Sequence, residues 1–246
     1  MGDDSLPGAT GATPDGDPAA FDPRALAARR LGWFGGSFDP PHRGHLHVAR
    51  TAAAHHDLDH LVWVPAARSP HKDARPTDGD ERARLVEALL RDDADAGGDL
   101  AARSSIWCGE LARGGASYAI ESLRILTVER PVGDTFLLLG GDQLRGLDRW
   151  REVDALLTLA RPVVVPRPGA GRELLEDLRG RLAPASFQRV AAGLVAAAEV
   201  DLASTDLRAR LGAGDDGADL TPRVRRRIAE RGLYGGAGPD GGAPAP

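Results

Sequence analysis

The sequence has a single cysteine, Cys108, among its 246 residues, and this near-absence excludes an internal disulfide. A lone cysteine fits a reducing compartment and is more typical of a small core side chain than of a nucleophile. Long apolar runs are lacking too, since none approaches the roughly 18 residues that a membrane-spanning helix needs. The first residues are acidic and lack the basic and apolar regions of a signal peptide. We therefore expect a soluble, cytoplasmic protein.

Lysine is almost absent as well. Of the 31 basic residues only Lys72 is a lysine, and all the others are arginines. A lysine is a compact, rotatable point charge that suits a phosphate oxygen, so Lys72 is either a phosphate ligand or a surface residue retained by chance. The net charge of −5 argues against a nucleic-acid-binding surface, but a small anion held by local dipoles remains compatible with it.

Between two low-complexity ends, apolar runs typical of buried strands alternate with helical patterns. We expect a disordered N-terminal extension over residues 1–28, one domain over 29–234 and a disordered tail over 235–246. Strands separated by helical segments predict βαβ units, and hence an α/β fold with a doubly wound parallel sheet and a small C-terminal helical part. In such sheets ligands bind beyond the carboxyl ends of the strands.

Periodicity and end signals place the individual elements. Strands are predicted at residues 31–34, 61–64, 104–107, 135–139, 162–165 and 199–202. Helices are predicted at residues 46–56, 80–91, 117–129, 153–159, 171–193, 205–211 and 219–231. Asp80, Ser117 and Ser204 are the candidate N-caps of three of these helices.

The stretch LGWFGGSFDPPHRGH at residues 31–45 joins a strand, a glycine-rich turn and the start of a helix. Because the first N–H groups of a helix lack intrahelical partners, this arrangement predicts an anion site. Gly35 and Gly36 let the backbone approach a phosphate without an intervening Cβ. His42 and His45 are three residues apart and share one face of the first turn, so we expect both imidazoles to point at a phosphate there.

The string GGSFDPPHRGH resembles the signature GG[ST]FDPxHxGH of the HxGH nucleotidyltransferases. Later motifs are similar to those of the bacterial nicotinate-nucleotide adenylyltransferases, keep that family's order and extend the resemblance over residues 30–234. They are PAARSPHK at 65–72, SY at 117–118, GGDQL at 140–144, RPG at 167–169, ASTDLR at 203–208 and GLY at 232–234.

The resemblance implies a Rossmann-like fold and transfer of the adenylyl group of ATP to nicotinate mononucleotide, giving deamido-NAD and pyrophosphate in NAD biosynthesis. The implied catalytic residues are His42, His45, Lys72 and Arg208. The implied ATP-binding residues are Gly35, Gly36, Ser37, Phe38, Asp39, His42, His45, Asp142, Arg167, Ser204, Thr205 and Arg208. The implied nicotinate-nucleotide-binding residues are Gly36, Ser37, Lys72, Ser117, Tyr118, Ala119, Asp142 and Trp150.

Mg²⁺ is expected to accompany ATP, because no cluster of carboxylates suggests a dedicated metal site. The expected partners are the two small-molecule substrates, with no nucleic acid and no membrane, and the sequence is compatible with a homo-oligomer. Three residues depart from the family pattern: Ser69 replaces a proline, Ala119 a threonine and Ala203 a serine. Ser204 and Thr205 at a helix start, followed by Arg208, predict a second phosphate site. The departures put in question the side-chain contribution of residue 119 and one hydroxyl at this second phosphate site.

Each candidate also has a structural interpretation: a cap for His42 and His45, core packing for Trp150, a strand cap for Asp142 and a solvated helix position for Arg208. Histidines outside the motifs are expected to be surface or structural. Rival functions are adenylylation of pantetheine phosphate or nicotinamide mononucleotide, cytidylyl transfer, and a nucleotide-binding sensor without activity. A dinucleotide-binding dehydrogenase is disfavoured, since GGSFDP lacks the G-x-G-x-x-G spacing.

Overall fold

The computed structural model describes residues 17–70, 77–166, 170–196, 202–215 and 217–235. In these residues five parallel strands form one sheet in the order β3-β2-β1-β4-β5. The strands are β1 Arg30–Gly36, β2 His60–Pro65, β3 Ser104–Ile106, β4 Asp134–Gly140 and β5 Arg161–Val165. The strand order reverses between β1 and β4, so a crevice opens beyond their carboxyl ends. The expected parallel α/β fold is confirmed.

Helices follow the strands and cover the sheet. They are α1 Pro23–Ala27, α2 Arg43–His55, α3 Gly79–Asp95, α4 Gly109–Arg113, α5 Ala119–Glu129, α6 Gly141–Arg145, α7 Val153–Leu159, α8 Ala170–Leu178, α9 Pro184–Ala192, α10 Ser204–Gly212 and α11 Pro222–Glu230. Short 3₁₀ turns occupy Leu147–Arg149 and Leu233–Gly235. Within the described ranges no helix is both long and apolar enough to cross a bilayer.

Both faces of the sheet are buried, as a doubly wound arrangement requires. Trp33 of β1 belongs to one apolar cluster, with α5 and α7, while its neighbour Phe34 belongs to the other, with α2 and α3. Successive side chains of a strand point to opposite faces, so each central strand contributes to both clusters. The small C-terminal helical part is confirmed by α10 and α11, whose buried Val224 and Ile228 join the second cluster.

Residues that precede the predicted start of the domain already pack against it. The disordered extension was predicted to run to residue 28, yet Phe21 is buried and its ring stacks on Trp107 at 4.6 Å. The Trp107 indole also donates to the carbonyl of Ala19 at 2.7 Å, and Asp22 caps α1 by accepting from the Arg24 amide. The prediction was therefore too long at this end, because one aromatic side chain finds a partner far along the chain.

Three predicted caps were wrong although their helices exist. Asp78, not Asp80, accepts from the first amides of α3. Ser117 and Ser204 do not cap α5 and α10, because their hydroxyls bond to other segments. The helical region predicted at residues 171–193 is split into α8 and α9, and Pro184 begins the second helix. Most of the strand predicted at residues 199–202 lies outside the described residues.

Candidate active site

A cavity of about 500 Å³ lies at the carboxyl edge of the sheet, where the strand order reverses. Its wall is built from the ends of β1, β4 and β5, from the loop after β2, and from the first residues of α2, α5 and α10. Helix N-termini carry partial positive charge and unpaired N–H groups. The cavity is therefore suited to anionic groups, as the sequence pattern predicted.

His42 and His45 cap α2 reciprocally. The Nδ1 atom of His42 accepts from the Gly44 amide at 3.1 Å, and the Nδ1 atom of His45 accepts from the His42 amide at 3.1 Å. The two rings lie 3.9 Å apart, and both line the cavity. An accepting Nδ1 carries no proton, so the proton of each neutral imidazole lies on Nε2. Both histidines thus cap the helix, which was their alternative structural interpretation, and both also line the cavity.

Two glycines of the motif make room for rings. A Cβ on Gly44 would lie 2.9 Å from both Cε1 and Nδ1 of His42, closer than real Cβ contacts allow. A Cβ on Gly36 would lie 3.1 Å from the Phe38 ring. Phe38 is 1% exposed, has a positive φ of 48° and packs edge-on against His45 at 5.0 Å. The glycines therefore fix the histidine and phenylalanine rings beside the cavity.

Asp39 and Arg208 were predicted to contact ATP, but neither belongs to the cavity wall. The Asp39 carboxylate accepts from the Tyr234 hydroxyl at 2.6 Å and from the Thr77 amide at 3.4 Å. Burial and this carboxylate together raise the pKa of Tyr234. Arg208 donates to the main-chain carbonyl of Asp39 and, at 3.3 Å, to the Thr205 hydroxyl. Asp39 therefore acts as a tether for the C-terminal segment.

The start of α10 reaches the cavity through Ser204 and Thr205, which both line it. The Ser204 hydroxyl donates to the Pro40 carbonyl at 2.9 Å and so joins α10 to the turn before α2. Arg208 contacts Thr205 and is absent from the cavity wall. The second phosphate site predicted from the sequence stays a prediction, with its two hydroxyl residues in the same cavity wall as the histidines.

At the other end of the cavity, Ser117, Tyr118, Ala119 and Trp150 come together as predicted. No side chain caps α5, and among the described residues the amides of its first two residues, Ala119 and Ile120, have no acceptor, while the Glu121 amide donates to the Tyr118 carbonyl at 3.0 Å. The Ser117 hydroxyl instead accepts from the Ala67 amide at 2.8 Å. An uncapped helix start between a tyrosine and a tryptophan can hold a flat ring that carries a carboxylate.

The remaining predicted residues fall into two groups. Gly35, Ser37 and Asp142 line the cavity with the histidines. Gly35 is fixed further by its carbonyl, which accepts from the Gln143 amide at 2.9 Å. Lys72 and Arg167 lie outside the described residues, so their roles stay predictions.

Sequence reasoning missed three residues around the cavity. Glu110 is buried in the wall, where desolvation raises its pKa and the Ser122 hydroxyl donates to it at 2.6 Å. His47 also lines the cavity, and its Nε2 is buried without a hydrogen-bond partner among the described residues. Arg82 is 1% exposed directly behind the glycine-rich turn. None of the three lies within a motif that the sequence analysis used.

A parallel sheet with an HxGH motif at its switch point defines a nucleotidyltransferase, and the family model described as Cytidylyltransferase-like matches residues 33–210. A relative from Gloeobacter violaceus is 38% identical over 211 residues, which is 83% of this chain and 96% of the relative. One from Shouchella clausii is 35% identical over 84% of this chain and 97% of the relative. Both bear the name "Probable nicotinate-nucleotide adenylyltransferase". The chain belongs to the nicotinate-nucleotide adenylyltransferase family.

The fold agrees with a solved structure of this class. The Plasmodium falciparum nicotinic acid mononucleotide adenylyltransferase, in a complex with NaAD, superimposes with a TM-score of 0.68. The match covers 84% of this chain and 98% of the other, at 15% sequence identity. At that identity the likeness shows the shared fold alone.

Proposed function

We propose that this protein transfers the adenylyl group of ATP to nicotinate mononucleotide, giving nicotinate adenine dinucleotide and pyrophosphate in NAD biosynthesis. The observation that carries the proposal is the reciprocal histidine cap, which keeps both imidazoles at the cavity and both ring protons on Nε2. The close relatives, named for this reaction, support the same substrates. The single cysteine fits a reaction in the reducing cytoplasm.

The reaction depends more on the placement of the two substrates than on proton transfer. An oxygen of the mononucleotide phosphate, already ionised at neutral pH, attacks the α-phosphorus of ATP. A new P–O bond forms as the bond from that phosphorus to the β-bridging oxygen breaks, and pyrophosphate leaves with the electron pair. No general base is required, so the site must hold two mutually repelling anions in line and stabilise the charge that develops on the phosphoryl oxygens.

The histidines supply donors for that charge. Their Nε2–H groups lie at the N-terminus of α2, where the helix dipole also favours negative charge. Because the rings are already fixed by their Nδ1 hydrogen bonds, little reorganisation is needed when the phosphates bind. We assign His42 and His45 to the α-phosphoryl group and the leaving pyrophosphate.

Cationic and hydroxyl groups complete the proposed phosphate site. Ser204 and Thr205 present hydroxyls at the cavity wall, and Arg208 lies behind Thr205. We assign the Arg208 guanidinium to the triphosphate from the resemblance. Lys72 and Arg167 are assigned to the same task from the resemblance alone.

The pyridine end is assigned to the start of α5. The main-chain amides of Ala119 and Ile120 can donate to the nicotinate carboxylate, so residue 119 need not supply a hydroxyl. We assign the ring to the aromatic surfaces of Tyr118 and Trp150 and a ribose hydroxyl to the Asp142 carboxylate, since all three residues line the cavity. This choice of donors favours the acid over the amide, which lacks the negative charge.

Mg²⁺ enters this proposal as part of the substrate, bound to ATP. Among the described residues no three histidine, cysteine or carboxylate side chains are grouped to hold a metal ion. A Mg²⁺ ion that keeps most of its waters and binds phosphate oxygens needs no such group.

The test is pyrophosphate release from Mg·ATP with a panel of acceptors. We expect turnover with nicotinate mononucleotide to exceed that with nicotinamide mononucleotide, and none with pantetheine phosphate. His45→Ala should lower turnover about a hundredfold or more, near 3 kcal/mol, while the melting temperature changes little. No product with nicotinate mononucleotide, or near-normal turnover of the variant, would overturn the assignment.

A further inference from the structure

Arg82 is a buried cation that ties three segments together behind the glycine-rich turn. It lies on α3 and is 1% exposed. Its Nε donates to the Thr77 carbonyl at 2.8 Å, one terminal nitrogen to the Ser37 carbonyl at 2.6 Å, and the other to the Ala66 carbonyl at 2.7 Å. All its hydrogen bonds to described residues end on main-chain carbonyls. No ligand-facing role is open to it, because Arg82 is absent from the cavity wall.

The bond to Ser37 fixes the direction of a peptide group. In a trans peptide the carbonyl and the N–H point in opposite directions. Because the Ser37 carbonyl is drawn back to Arg82, the amide of Phe38 is turned the other way. Ser37 and Phe38 line the cavity, whereas Arg82 does not. The Phe38 amide has no acceptor among the described residues.

We propose that Arg82 is a positioning residue for adenylyl transfer, holding the Ser37–Phe38 peptide so that the Phe38 amide faces a substrate phosphate. The inference rests on the proposed function, since it needs a phosphate at that place. The planar fork of arginine can reach carbonyls in three directions, whereas the ammonium of lysine cannot span them. Charge alone is therefore not enough for this role.

The chain offers a matched control in Arg130. It is 5% exposed, and it too donates to main-chain carbonyls, those of Ala28 at 2.7 Å and of Arg29 and Asp134 at 3.2 Å. These carbonyls lie at the amino ends of β1 and β4, on the edge of the sheet opposite the cavity. Arg82→Lys and Arg130→Lys thus remove the same type of contact from the two ends of one sheet.

The experiment measures kcat, both KM values and the melting temperature for wild type, Arg82→Lys, Arg82→Gln, Arg130→Lys and His45→Ala, with kcat normalised to the folded fraction. We expect both lysine variants to melt earlier. Only Arg82→Lys and Arg82→Gln should lose about tenfold to a hundredfold in kcat, as a misplaced donor would cause. Arg130→Lys should keep its kcat within about twofold.

Several results would overturn the inference. They are normal kcat in Arg82→Lys, an equal loss in Arg130→Lys, or failure of both Arg82 variants to fold, which would leave Arg82 only a structural role. His45→Ala separates this failure from failure of the proposed function. If His45→Ala loses turnover and Arg82→Lys does not, the positioning role alone is wrong; if His45→Ala stays active, the proposed site itself is wrong.

Discussion

Gly44→Ala is the perturbation that most directly separates the histidine cap from the rest of the fold. The added Cβ would lie 2.9 Å from two atoms of the His42 ring, and that ring is 4% exposed and held by the Gly44 amide. The ring must therefore rotate away, which breaks its Nδ1 hydrogen bond and moves its Nε2 from the cavity. In the part of the chain that the structure describes, the next closest atom to the added Cβ is the Leu202 Cβ at 3.4 Å.

The expected effects on stability and on turnover differ greatly. Alanine is favoured over glycine inside a helix by up to about 1 kcal/mol, and losing a cap costs about 1 kcal/mol. These terms nearly cancel, so the melting temperature should move by only about 2–4 °C in a domain of this size. Loss of one preorganised donor to a developing oxyanion costs about 10²–10³ in kcat. The variant should be folded and nearly inactive.

The assay combines thermal unfolding with pyrophosphate release from Mg·ATP and nicotinate mononucleotide. Gly212→Ala is the matched control, because Gly212 also lies in a helix and its added Cβ would meet, among the described residues, only the Tyr234 carbonyl at 3.6 Å. Its turnover should equal that of the wild type. Turnover of Gly44→Ala within threefold of wild type would refute the reasoning, and so would a loss explained by unfolding.

Two further predictions concern buried polar groups. Burial lowers the pKa of His60 from 6.5 to about 4. As the pH falls, the unfolded state therefore binds a proton at this histidine before the folded state does. The contribution of neutral His60 to stability is complete above pH 6.5 and is lost as the pH falls towards 4. Between pH 7.5 and pH 5 urea titrations should show a loss of stability that is smaller by about 2 kcal/mol in His60→Asn than in the wild type. Tyr234→Phe removes a donor to Asp39 and should cost about 2 kcal/mol with turnover retained; a large rise in the KM for ATP would contradict the tether role.

The architecture followed from local patterns. Short apolar runs separated by helical periodicity predict a parallel sheet without any knowledge of tertiary contacts. All five strands in the described residues were predicted in this way. The location of the site followed as well, because ligands of such sheets bind at the carboxyl edge. The motif then indicated which helix N-terminus faces the cavity.

Contacts between distant segments could not be read in this way. Phe21 contacts Trp107, and Arg82 contacts Ser37, only because the fold brings these distant parts of the sequence together. Whether a side chain caps its own helix also depends on which other segment packs beside it. The Ser117 hydroxyl bonds to Ala67 in a separate loop instead of to its own helix. The placement of Asp39 was missed for the same reason, because Tyr234 lies almost at the other end of the domain.

The glycine-rich turn shows why such distant residues matter for a phosphate site. Carbonyl oxygens turned towards a phosphate would repel it, so an anion-binding loop must have its carbonyls bound elsewhere. Here side chains or amides from separate segments bind the carbonyls of five motif residues: Gln143 on Gly35, Ala66 on Gly36, Arg82 on Ser37, Arg208 on Asp39 and Ser204 on Pro40. Each bond occupies one carbonyl of the turn before any ligand arrives. The preorganisation of the turn therefore resides in residues outside it: Gln143, Ala66, Arg208 and Ser204 belong to other motifs of the chain, and Arg82 belongs to none of them.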